Sequence, residues 1–273
     1  MAMVQRIALG LEYDGRAFCG WQTQPHGCAV QDHLEAALAC VHGGAVDTVV
    51  AGRTDAGVHA LAQVVHFDAI HPRPMQAWVR GVNSHLPQGM AVLWACAVAP
   101  DFHARYGALA RRYRYVLLNH AVRPALLAGR VGWSHDELDQ EAMRDAAARL
   151  VGTHDFSAFR AAACQARTPV RQLREATLTR AGAFLYFDFC ANAFLHHQVR
   201  NMVGALLWVG QRRRPPSWID ELLASRDRTR AAATAAADGL YLAGVEYDAR
   251  HALPGARRQT FSPLPECLET SLP

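Results

Sequence analysis

Lysine is missing from all 273 residues, so the 28 basic side chains are arginines without exception. That excludes a Schiff-base lysine and a G-K-[ST] phosphate loop. A compositional bias toward alanine and arginine explains most of the replacement, although arginine is also the better fork for phosphate. No apolar run reaches the roughly 20 residues needed to cross a bilayer. Glu12 and Asp14 interrupt the N-terminal apolar stretch too early for a signal-peptide core. No C-x-x-C pair occurs among the seven cysteines, an odd number. A reducing cytoplasm is expected from that count, without a disulfide framework or a cysteine-based zinc site. The apolar share of 51% and charged share of 19% are those of an ordinary globular protein. A net charge of +4 does not by itself mark a nucleic-acid binder.

What is present is a repeated order of elements. Residues 6–13 alternate like a strand, 30–41 carry apolar residues at helical spacing, and 47–52 are β-branched. Strand 60–68, a helix over 74–86 opening at proline and a buried strand over 90–98 complete a β-α-β-β-α-β set. A second set follows: strand 111–119, helix 138–151, a hairpin over 173–191 turning at Ala181-Gly182, helix 194–209 and strand 239–247. The reading is α+β, with two ferredoxin-like lobes, 1–104 and 105–250, whose sheets lie side by side around a cleft. The proline-rich tail, 251–273, lacks periodicity and is expected to be disordered.

Three constellations carry candidate chemistry, and two more are weighed and set aside. In "AGRTDAGVHA" (51–60) Asp55 is either a turn residue bonding its own backbone or a presented carboxylate, with Arg53 two residues before it. Tyr113 and Tyr115 share one strand face and Arg112 and Arg114 the other, which suits either a half-buried aromatic strand or a base-stacking platform with phosphate contacts. On helix 194–209, Leu195, Val199, Met202, Val203, Leu206 and Val209 face the core, with His196 and Arg200 four apart beside them. His59/His66 fall on opposite strand faces and His196/His197 diverge on a helix, so no metal site is expected. "RRRPP" (212–216) reads as a basic helix stop.

Together the stretches "LEYDGRAFCGWQTQP" (11–25), "AGRTDAGVHALAQVVHF" (51–67), "FHARYGALARRYRYVLLN" (102–119), "GTHDFSAFRAAACQARTPVR" (152–171), "ANAFLHHQVRNMVGAL" (191–206) and "GLYL" (239–242) resemble the TruA family of tRNA pseudouridine synthases. The likeness spans roughly residues 3–248. It implies isomerisation of uridines 38 to 40 in the anticodon arm of tRNA, by a cytoplasmic homodimer without a cofactor. By motif, Asp55 resembles the catalytic carboxylate and Arg53 the RNA-contacting arginine beside it. Tyr113 resembles the tyrosine that stacks on the target base, Arg200 the partner of the aspartate, and Leu240 the apolar wall of the pocket. Three positions depart from the family pattern: Ala191 for glycine, Gln198 for methionine and Ala236 for proline.

The implied reaction suits these residue types. The C1′–N1 bond must break and a C1′–C5 bond must form in one closed site, after the base has left its stack. A carboxylate can attack C1′ or abstract a proton at the 2′ carbon, and the sequence leaves both open. A nearby cation such as Arg200 would keep that carboxylate ionised. Two alternatives differ in product: a non-catalytic RNA-binding module would leave uridine unchanged, and an N-glycoside hydrolase would release uracil.

Overall fold

The computed structural model describes residues 4–71 and 73–254. They form two compact units, residues 4–111 with 241–254, and residues 112–240.

In the first unit β1 (Gln5–Tyr13), β2 (Val49–Val50), β3 (His59–Ala69) and β4 (Met90–Ala97) combine with α1 (Val30–His42) and α2 (Met75–Asn83). The antiparallel order is β4-β1-β3, with β2 pairing β3, as a β-α-β-β-α-β unit requires. β1 lies between two neighbours, and Ile7, Ala8, Leu9 and Leu11 are fully buried. α1 buries Val30, Leu34, Ala37 and Leu38, a stripe at helical spacing. Gly43, at φ +87°, ends that helix in the left-handed conformation that glycine adopts without steric cost.

The second unit contains β5 (Ala108–Asn119) from Arg112 onward, β6 (Gly132–Ser134), β7 (Gly152–Asp155), β8 (Val170–Ala181) and β9 (Phe184–Ala191). Its helices are α3 (Gln140–Arg149), α4 (Gln198–Gly210) and α5 (Trp218–Ser225). The strands run β5-β9-β8-β7, with β6 beside β5. The expected hairpin is present, closing at the Ala181–Phe184 pair. Short elements β6, β7 and α5 were not anticipated; the two strands offer too few residues to show a period.

β10 (Leu240–Tyr247) sets Tyr241 and Leu242 parallel to His59 and Ala60 of the first unit. The Tyr247 hydroxyl donates to the Ala104 carbonyl at 2.6 Å. His251 meets Phe102 edge-on, with ring centroids 5.0 Å apart. Order therefore continues into the segment read as a disordered tail, whose remainder, 255–273, lies outside the described residues.

His66 ties β3 to the segment after β4, its Nδ1 accepting the Ala104 N–H at 3.1 Å. Burial first, then the charges of Arg6 and His103, lower its pKa to about 4. Protonation of Nδ1 would also break the bond from Ala104. With the unfolded value near 6.5, the stabilisation from neutral His66 is complete above that pH and is lost as pH falls toward 4. Between pH 7 and pH 4 the wild type should lose up to about 3 kcal/mol more than His66→Gln, measured by urea unfolding. Identical pH dependence in the two proteins would contradict this.

Candidate active site

The segment Gly52–Val58 is tied to its own unit at Gly52 and Thr54. Arg111, only 8% exposed, donates from Nη2 to the Ala51 carbonyl at 2.8 Å. The same guanidinium holds the carbonyls of Arg105 and Ala108. Gln63, fully buried on β3, donates to the Gly52 carbonyl at 2.8 Å and to the Tyr13 hydroxyl at 3.2 Å. That hydroxyl lies 2.8 Å from Thr54 Oγ1, in a buried contact. Burial pushes the Tyr13 pKa up to about 12, although the bonds with Thr54 and Gln63 act against it, so the phenol stays protonated. The Thr54 carbonyl accepts the Trp21 N–H at 2.9 Å.

The Asp55 turn closes on itself. Val58 N–H reaches the Asp55 carbonyl at 3.1 Å, around Gly57 at φ +79°. Positive φ at the third turn position suits glycine. Gly20 stands against this turn: a Cβ there would lie 3.0 Å from both the Thr54 carbonyl oxygen and the Ala56 nitrogen. Behind it, Gly15 N–H donates to His59 Nδ1 at 3.1 Å, and the His59 ring stacks on Tyr241 at 4.6 Å. Asp14 lies 3.3 Å from the same nitrogen. Burial works against the Asp14 charge, but hydrogen bonds from Arg16 and the charges of His59 and Arg16 hold its pKa below the usual value. The result is a braced loop in which Arg53 is exposed and Asp55 half-buried. A half-buried carboxylate on a fixed turn can act as nucleophile or base without reorganising its backbone.

In the second unit Tyr113 lies on β5, 8% exposed, with Phe194 edge-on at 5.1 Å. Half-buried Arg200 is braced by Ala235, whose carbonyl accepts from its Nε at 2.9 Å and whose N–H donates to the Arg200 carbonyl at 3.1 Å. Leu240 is 5% exposed at the start of β10. Gly204 lets that bracing segment approach, since a Cβ there would meet the Ala233 carbonyl at 2.1 Å. Neither brace uses the backbone of Ala236, the position that departs from the family's proline. Asn201, one residue after Arg200 and fully buried, donates to the Phe159 carbonyl and accepts from Arg228 and Thr234.

Three expectations are corrected. α4 begins at Gln198 rather than at 194, because His197 sits at φ +60° and interrupts the helical hydrogen bonding. His196 therefore does not share a helix face with Arg200, and the His196 and His197 rings lie 4.0 Å apart instead of diverging. The departure at 198 is used here: Gln198 Oε1 accepts the Leu195 N–H at 2.8 Å. Along β5, Arg111 is buried, Arg112 pairs with Glu175 and Arg114 with Asp188. Arg212, Arg213, Arg214, Arg226 and Arg230 are exposed. Cys19 and Cys28 form a disulfide, their Cα atoms 5.5 Å apart. The chain reverses at Gly27, φ +63°, and brings them together, which neither the cysteine count nor the spacing could reveal.

Comparison with known proteins fixes the family. A family model described as tRNA pseudouridine synthase matches residues 11–107 and 146–248. The chain belongs to the tRNA pseudouridine synthase family. Its similarity to the tRNA pseudouridine synthase A of Thiobacillus denitrificans is 59% identity, over 92% of this chain and 96% of that one. The proteins of the same name from Methylobacillus flagellatus and Aromatoleum aromaticum are 56% and 58% identical, each over 93% of this chain and over 97% and 96% of their own. The braced loop and the segment carrying Asn201 and Arg200 both lie within the matched residues of this pseudouridine synthase.

Tyr13, Thr54, Gln63, Trp21 and Asn201 escaped the reading from sequence as supports. The available signal was Gln63, a polar residue inside an otherwise apolar strand pattern. In Tyr13→Phe the ring is kept and only the bonds to Thr54 and Gln63 are lost. We expect a loss of about 1–2 kcal/mol by urea unfolding. Turnover of tRNA should fall at least about tenfold, with binding within about twofold, because a loosened support misplaces Asp55. Unchanged turnover at reduced stability would make the network purely structural.

Proposed function

We propose that this pseudouridine synthase isomerises uridines 38, 39 and 40 of the tRNA anticodon arm, acting as a cytoplasmic homodimer without a cofactor. The observation that carries the assignment of the site is the loop of Asp55: a carboxylate on a turn braced by buried bonds, beside an exposed arginine. No helix among the described residues is long and apolar enough to cross a membrane.

In this reading Asp55 is the reacting carboxylate and Arg200 its counter-ion. Two routes begin the reaction. Attack of Asp55 on C1′ releases the base at N1 as the sugar–carboxylate ester forms; abstraction of the 2′ proton instead drives the C1′–N1 electrons onto the base. The base then turns until C5 faces C1′: on the first route C5 displaces the Asp55 carboxylate from C1′ as the ester bond breaks, and on the second C5 adds to C1′ while Asp55 returns its proton to the 2′ carbon. The C5 hydrogen leaves as a proton and N1 gains one, so uridine and pseudouridine have the same atoms. Arg53, exposed beside the reacting turn, occupies the space that the extruded nucleotide leaves, or holds its phosphate. Tyr113 stacks on the extruded base, and Leu240 supplies an apolar wall that helps to exclude water.

The product distinguishes this reading from its alternatives. From tRNA tritiated at uridine C5, the enzyme should release label to water while the base stays attached. Transcripts with cytidine at 38, 39 and 40 together should release none. Free uracil, or undiminished release from the cytidine transcript, would overturn the proposal. Arg53→Ala should lower turnover about 100-fold or more, some 2.7 kcal/mol in barrier. Its tRNA affinity should change less than about threefold. Equal losses in filter binding and turnover would reduce Arg53 to an ordinary phosphate contact.

A further inference from the structure

Cys19 and Cys28 take no part in the chemistry described above, yet they close the loop that carries Gly20 and Trp21. Gly20 packs against Thr54, Asp55 and Ala56, and the Trp21 N–H holds the Thr54 carbonyl. Just beyond the disulfide, Val30 N–H donates to the Gly20 carbonyl and Gln31 N–H to the Trp21 carbonyl. The segment that seats the Asp55 turn is therefore bounded on one side by the cross-link and on the other by the start of α1. Cys19 is exposed and Cys28 half-buried, and residues 22–27 between them are all exposed. A small thiol can reach the bond.

We propose that Cys19 and Cys28 form a reversible thiol–disulfide site that sets how firmly the Asp55 loop is held, and hence the turnover of the enzyme. The proposal rests on the reading of Asp55 as the reacting carboxylate. The exchange needs only a thiol such as glutathione. Its thiolate attacks Sγ of Cys19, the S–S bond breaks, and Cys28 leaves as thiolate. A second glutathione thiolate attacks the mixed disulfide and releases Cys19 and glutathione disulfide. Two electrons pass to the protein, and the two protons given up by glutathione end on the two cysteines. Reoxidation by glutathione disulfide reverses each step.

In the reduced state two hydrogen bonds tie the loop across its neck and along its length. Cys19 N–H donates to the Cys28 carbonyl at 3.0 Å, and Gln24 Nε2 to the Cys19 carbonyl at 2.8 Å. Both lie at the exposed edge, where water competes for them. The Gly20–Trp21 grip on Thr54 then loosens, and Asp55 spends less time in its reactive placement. Turnover should fall about threefold, well short of the ~100-fold that a fixed 1 Å misplacement can cost. Affinity for tRNA should stay the same.

The test uses the full chain equilibrated across ratios of reduced to oxidised glutathione. Alkylation and peptide mass spectrometry follow the thiols of Cys19 and Cys28, with Cys40, Cys96, Cys164 and Cys190 as internal references. Tritium release and filter binding are measured on the same samples. Pairing of Cys19 with Cys28 should rise with oxidation, and turnover should rise along the same curve. The Cys19→Ser, Cys28→Ser double variant should stay at the reduced level at every ratio. Absence of the pair in oxidised buffer, turnover indifferent to its formation, or a double variant that still responds would each overturn the proposal. Asp55→Asn serves to separate the two claims. It should form the pair as the wild type does and lack turnover in both states. Turnover in that variant would instead place the failure with the Asp55 reading.

Discussion

The arrangement depends on the buried contact between the Tyr13 hydroxyl and Thr54 Oγ1, 2.8 Å apart, with Gln63 bonded to the same hydroxyl. A loop between two strands ordinarily runs over the surface, with its backbone groups left to water. Here polar side chains from β1 and β3, and a backbone N–H from the segment after β1, take over that role. The loop is anchored at Gly52 and Thr54, while Arg53 is exposed and Asp55 half-buried. In the proposed mechanism this matters because the position of the carboxylate would be settled at folding and not at substrate binding.

The same principle separates two kinds of arginine. Arg111 is buried and satisfied by three carbonyls, and Arg228 reaches Asn201 and the Ala232 carbonyl from a half-buried position. These side chains use the planar guanidinium as a structural bracket, a role lysine cannot reproduce with a single ammonium. Exposed Arg53, Arg213 and Arg230 are of the other kind, available to phosphate. Counting arginines could not tell the kinds apart. Their partners are brought in by the fold from tens of residues away, as Glu175 is to Arg112.

Legibility in the sequence followed the range of each interaction. The long strands and α1 announced themselves by period, and the order of the first six elements matches the observed β4-β1-β3 sheet with β2 beside β3. The site loop stood out through an unusual local string, with Arg53 and Asp55 between glycines. The start of α4 did not, because a single left-handed residue at His197 outweighs the helical pattern of the apolar residues around it. The Cys19–Cys28 pair and the Tyr13–Thr54–Gln63 network were invisible for the same reason: each joins positions that only the folded chain makes neighbours.

Substitution of Asp55 by asparagine tests the central claim most directly, because the turn tolerates asparagine while the proposed chemistry does not. Tritium release and a filter-binding titration should be carried out on the same folded protein. Turnover should fall by several orders of magnitude, on the order of 5 kcal/mol or more in barrier, while tRNA affinity changes by less than roughly tenfold. Release of tritium at a near-normal rate from folded Asp55→Asn would contradict the account and leave the braced loop without its catalytic role.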